Sequence, residues 1–152
     1  MKKIYRAEGV LERNFVGQIT YTICLERPLD KLDIEFSFDK LHYAESDLTP
    51  ELMAEFADVC NREYGLTGSA AEIRRSMLTE LKTEIHTLAM LNGEFIGCVH
   101  KQLATRHMLY DGEYASEGCI PQPRFEGVLQ VTILVFNVLM DGTHYALTVR
   151  GE

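Results

Sequence analysis

An α+β fold is predicted: an antiparallel sheet of about six or seven strands, in the order βββ-αα-ββββ, with two helices packed on one face. Three observations carry this expectation. Residues 18–38 hold two runs in which apolar and polar side chains alternate, the period of a half-buried strand. Residues 49–93 hold two segments with helix-start residues and apolar spacings of three and four. Residues 94–149 return to strand chemistry and end on two apolar runs around Asp141-Gly142. The alternative arrangement of the same elements is a partly closed β-barrel with a helical insertion.

The first strand, about Lys3 to Glu12, is irregular and contains Gly9, which suggests a bulge or a close backbone approach. In the second, Ile19, Tyr21, Ile23 and Leu25 alternate with Gln18, Thr20, Thr22 and Cys24, and Pro28 is expected in the turn that follows. The third has Leu32, Ile34, Phe36 and Phe38 on one face and Asp33, Glu35, Ser37 and Asp39 on the other. Thr49 then caps a helix with Pro50 at its first position, where a missing N–H costs nothing. Leu52, Phe56, Val59 and Cys60 form its apolar face, and Gly65 stops it. Ser69 and Glu72 have capping-box spacing, and the stripe Ile73, Met77, Leu81, Ile85, Leu88 predicts one long second helix closed by Asn92-Gly93.

After Gly93 a strand is expected over Phe95 to Leu103, and Asp111-Gly112 turns into Glu113 to Glu117. A loop with Pro121 and Pro123 leads to the final segment, Val128 to Val149, which reads as one long hairpin. Its first arm is unusual. Val128, Leu129, Val131, Ile133, Leu134, Val135, Phe136, Val138 and Leu139 put apolar groups on both faces, so this strand requires a covering layer on each side. The returning arm, with Tyr145, Leu147 and Val149, alternates strictly.

The chain of 152 residues is read as a single domain, 1–152, long enough to bury a core without staples. Its formal charge of −8 argues against nucleic acid and anionic membranes as partners. Met1–Arg6 is basic but has no apolar stretch behind it, and no run approaches the length of a membrane span. Cys24, Cys60, Cys98 and Cys119 are scattered, without a CxxC pair, which fits reduced thiols in a cytoplasmic protein. Arg6–Glu12 (RAEGVLE) echoes Arg124–Gln130 (RFEGVLQ). Matching bulges at Gly9 and Gly127 would mark a true repeat; coincidence is the expectation.

No phosphate-binding glycine loop, Gly-x-Ser-x-Gly elbow, EF-hand loop or zinc-ligand spacing is present, so no metal or cofactor is expected. Cys98 and His100 share one face of a strand, with His107 on the next segment, and this is the nearest approach to a Cys/His nucleophilic site. Arg106, Tyr110, Tyr114 and Arg124 gather in the loop-and-hairpin region, and Leu134, Phe136 and Val138 mark the doubly apolar strand; these seven are the candidate binding residues. The functional expectation is a non-catalytic binding or interaction module. Its partner is itself, as a homodimer, or else an apolar small molecule or another protein. A small enzyme using Cys98, His100 and His107 is the alternative.

Overall fold

The computed structural model describes residues 1–152 and is α+β, with two helices and nine strands in two antiparallel sheets. The strands are β1 (Lys2–Leu11), β2 (Gly17–Leu29), β3 (Lys31–Phe38), β4 (Glu84–Leu91), β5 (Glu94–Val99), β6 (Thr105–Asp111), β7 (Tyr114–Ala115), β8 (Phe125–Asn137) and β9 (Thr143–Gly151). The helices are α1 (Pro50–Tyr64) and α2 (Ala70–Thr79). One sheet has the order β1-β9-β3-β6-β7 and the other β2-β8-β4-β5. The expected single sheet is therefore two, and neither closes into a barrel.

The alternation read in β2 and β3 is that of two different sheets. Leu32, Ile34 and Phe36 of β3 point into the gap from one side, and Ile23 and Leu25 of β2 from the other. Phe125, Leu129, Val131, Ile133 and Val135 of β8 meet Leu147 and Val149 of β9 across that gap. Burying a side chain of this size stabilises the fold by roughly 1.5–3 kcal/mol relative to leaving it in water. β2 continues through Pro28, which falls in a register irregularity between Leu25 and Leu29 instead of in the turn. A break in the ladder accommodates a residue with no N–H to donate.

Two corrections follow from long-range pairing. The final segment is not a hairpin. β8 is flanked by β2 and β4, while β9 is flanked by β1 and β3, so Val138–Gly142 crosses between sheets. Gly142, at φ 65°, still makes the turn that Asp141-Gly142 signalled. The second helix is also shorter than its stripe implied. It ends at Thr79, and Ile85 and Leu88 lie in β4, where Ile85, Thr87, Ala89 and Leu91 alternate inward. As a central strand the segment pairs with both β5 and β8, whose edges a helix, bonded within itself, would leave unpaired.

The helix starts themselves are as expected. The Thr49 side chain accepts from Leu52 N at 3.1 Å, Ser69 and Glu72 form the capping box, and Gly65 takes the left-handed conformation at φ 65°. The helices do not cover a sheet face, however. They pack at one end of the sandwich, where Met77 of α2 meets Tyr43 and Leu139, with Leu52, Phe56 and Ile73 around them. The Tyr43 hydroxyl donates to Leu139 O at 3.0 Å, and Arg13 pairs with Glu55 at 2.8 Å to hold α1 against the sheet ends.

Strand β5 stops at Val99, and residues 100–104 belong to neither sheet, so the expected strand to Leu103 is cut short. The 118–120 segment lies beside β5 instead, with Cys98 N donating to Gly118 O and Ile120 N to Ile96 O, both at 2.8 Å. Gly9 and Gly127 do not occupy matching bulges. Gly9 pairs with Tyr145 in unbroken register in the five-stranded sheet, whereas Gly127, at φ 93°, lies in the four-stranded one. A Cβ on Gly127 would lie 2.2 Å from Asn92 Oδ1, the atom that accepts from Val128 N. The two sequence echoes thus answer different local demands.

Candidate functional site

The two outer faces of the sandwich differ in chemistry. That of the five-stranded sheet is charged and internally paired. Arg150 Nη1 bridges Asp33 Oδ2 at 3.2 Å and Glu35 Oε2 at 2.7 Å, and His107 Nδ1 lies 2.9 Å from Asp33 Oδ1. Arg6 reaches Glu8 and donates to Thr148 Oγ1 at 3.1 Å. Asp33, Glu35 and His107 offer ligand atoms within 4.8 Å of one another. Arg150 already supplies the positive charge that such a cluster would draw from a metal ion, so the group is a self-contained ion network.

The outer face of the four-stranded sheet carries no formal charge over its central rows. Alternation and register place Gln18, Thr20 and Thr22 of β2 beside Leu134, Thr132 and Gln130 of β8. Those in turn lie beside His86, Leu88 and Met90 of β4, and Leu88 pairs with Cys98 of β5. None of these positions is Asp, Glu, Lys or Arg, in a chain that is 25% charged. Leu88, Met90 and Leu134 are half-buried, and Phe136 remains 51% exposed. The His86 ring lies 4.5 Å from the Phe136 ring and 5.7 Å from that of His100, and Thr20 and Thr132 share a hydroxyl–hydroxyl hydrogen bond of 2.9 Å. The outward side of β8 has no layer over it, because the helices lie at the sandwich end. Such a neutral, partly apolar sheet surface has the composition of an interface core, where charged residues are depleted.

The sequence-derived candidates separate accordingly. Leu134 and Phe136 lie on this face, whereas Val138 is fully buried in the inter-sheet core. Tyr110 is also core: its hydroxyl donates to Ile96 O at 3.2 Å, and burial pushes its pKa far up. Tyr114 is exposed on the β6–β7 hairpin, and Arg124 pairs with Glu126 at 3.6 Å at the surface. Arg106 is buried between the sheets.

Cys98, His100 and His107 do not converge. Cys98 lies in β5 of one sheet, exposed His100 follows that strand, and His107 projects from the other sheet onto Asp33. Burial raises the Cys98 pKa, with Cys119 adding to the effect, which is the reverse of what a thiolate nucleophile needs. The second helix is too short to lie along a sheet, and Leu32, Phe125, Leu129 and Leu147 fill the space between the sheets. Sequence reasoning missed His86, Leu88 and Met90 because Ile85 and Leu88 fitted a helical stripe. The signal for them was the alternation of Ile85, Thr87, Ala89 and Leu91, with His86, Leu88 and Met90 between.

A model described as "Family of unknown function (DUF6669)" matches residues 1–152. No curated protein and no solved structure matches the chain.

Proposed function

We propose that the chain, which belongs to the DUF6669 family of unknown function, is a non-catalytic interaction module that pairs with a second copy of itself through the outer face of its four-stranded sheet. The observation that carries this reading is the uncovered outward side of β8 and β4, uncharged over its central rows, in a molecule of charge −8. In a two-fold contact each patch meets its own copy, so any charge near the axis faces an equal charge. The five-stranded face, with Arg6, Glu8, Asp33, Glu35 and Arg150, would bring its charges against one another; the four-stranded face brings none over its central rows. The charges of the four-stranded face lie at the margins, where Glu84 meets His86 Nε2 at 3.1 Å and Glu126 pairs with Arg124. Two such faces stack at the roughly 10 Å spacing of packed sheets, with Phe136 and Leu134 seated between His86, Leu88 and Met90 of the other copy.

No helix is long and apolar enough to cross a membrane. A cytoplasmic setting belongs to the same proposal and is supported by four free cysteines, one of them exposed.

The thiols give a direct test. Cys98 belongs to the proposed interface, while Cys60 lies on α1, away from it. Maleimide modification, mapped by peptide mass, is expected to slow at Cys98 as protein concentration rises and to stay constant at Cys60. A Cys98 rate that does not depend on concentration would contradict the pairing.

A further inference from the structure

We infer that the crevice beneath α1 is a binding site for a small neutral aromatic molecule, of one or two rings, that carries a single hydrogen-bond donor. The site lies at the helical end of the sandwich, so it goes beyond pairing through the outer face and does not depend on it.

Helix α1 is held over the sandwich without being packed closely onto it. It runs for 15 residues and none of them is fully buried; Leu52, Phe56 and Val59, on its apolar face, are only half-buried. An isolated helix of this length is marginal in water, and an amphipathic one ordinarily gains its stability by burying that face. Polar contacts anchor α1 instead. Arg13 donates from Nη1 and Nη2 to the two carboxylate oxygens of Glu55, at 3.2 and 2.8 Å, and Arg13 N donates to Asp141 Oδ1 at 2.7 Å. Beneath the helix this leaves a crevice of about 260 Å³, with Leu52, Phe56 and Val59 on one side and Met77, Leu81 and Leu139 on the other. Exposed Asn14 and Glu55 stand at its edge, where it opens to solvent.

Size and lining define the occupant. An apolar cavity of about 150 Å³ stays dry and takes up benzene, so a crevice of about 260 Å³ has room for one ring or a fused pair. The Phe56 ring and the Met77 sulfur favour an aromatic partner over an aliphatic one. The charged pair at the rim is balanced. An anion would face Glu55 and a cation Arg13, and either would compete with the pair, so the occupant is neutral.

Two acceptors on the lining are left free. The Tyr43 hydroxyl has given its proton to Leu139 O, and its oxygen can still accept. Asn137 Nδ2 donates to Lys82 O at 2.9 Å, which fixes the amide and leaves Oδ1 without a partner in the chain. The occupant therefore supplies an N–H or O–H.

Indole is the probe, and it can be read directly because the chain contains no tryptophan. Its emission is expected to shift to the blue and to saturate at one molecule per chain. Its ring protons are expected to show nuclear Overhauser contacts to the Met77 and Leu81 methyl groups. Tryptamine and indole-3-acetate, the cationic and anionic counterparts, are expected to bind at least about 10-fold more weakly. 1-Methylindole, which lacks the donor, is expected to bind about 3–10-fold more weakly. Val59→Phe places a ring in the crevice and is expected to abolish the saturable shift while sedimentation of the chain stays as in the wild type. If Val59→Phe does not fold, the wild-type contacts and the analogue series still decide. The inference is overturned if indole makes no contact with those methyl groups, if any of the three analogues binds as well as indole, or if folded Val59→Phe binds indole like the wild type.

Discussion

Phe125→Ala is expected to lower the free energy of unfolding by about 3–5 kcal/mol, the cost of emptying a large aromatic site in a packed core. Phe125 opens β8, is fully buried and packs edge-on to Tyr110 with ring centroids 5.3 Å apart. The cavity cannot collapse easily. Tyr110 is tethered through its hydroxyl to Ile96 O, and a Cβ on nearby Gly97 would already lie 2.8 Å from that hydroxyl oxygen. Urea denaturation at fixed protein concentration is the measurement, read as a lower midpoint at unchanged slope. With about 2–4 °C lost per kcal/mol for a chain of this size, the melting temperature falls by roughly 6–20 °C. Association of the fraction that remains folded is expected to be unaltered, since Phe125 faces away from the outer surface.

Phe136→Asp is expected to do the opposite. Phe136 is already half in water and its ring rests on His86, so the folded single chain loses only that contact. In the paired form the same change buries a carboxylate against apolar side chains with no Lys or Arg among the central rows of the face to meet it. A central aromatic anchor is worth about 2 kcal/mol or more on truncation, so pairing should weaken by at least about 30-fold. Sedimentation velocity reads the loss, and circular dichroism checks that the fold is retained. Leu109→Thr, which removes an exposed apolar group from the opposite sheet, is expected to leave pairing unchanged. Core and face are thereby separable: one substitution alters stability without association, the other association without stability.

Much of the fold was legible where the signal is local. The alternation at 32–38, the Thr49 and Ser69 caps, the Gly65 stop and the Asp111-Gly112 and Asp141-Gly142 turns all appear where their chemistry places them. Long-range partition was not legible. Nothing local tells β9 to pair with β1 and β3 instead of β8, because a turn between two apolar strands has the same composition within a sheet and across a sandwich. Residues 85–88 fit helix and strand periods alike, and only the neighbours β5 and β8 resolve them. The site shows the same division. The double apolarity of β8 pointed to Leu134 and Phe136, but their partners His86, Leu88 and Met90 stood inside the misread helix. Arg106 read as a surface residue because an arginine in a β-run is ordinarily solvated, and its burial is a property of the tertiary fold.

The mass of the wild-type chain by sedimentation equilibrium, followed down through the micromolar range, tests the central claim most directly. Pairing through the four-stranded face predicts twice the chain mass of 17.3 kDa, dissociating on dilution. A mass of 17.3 kDa at every concentration would contradict it.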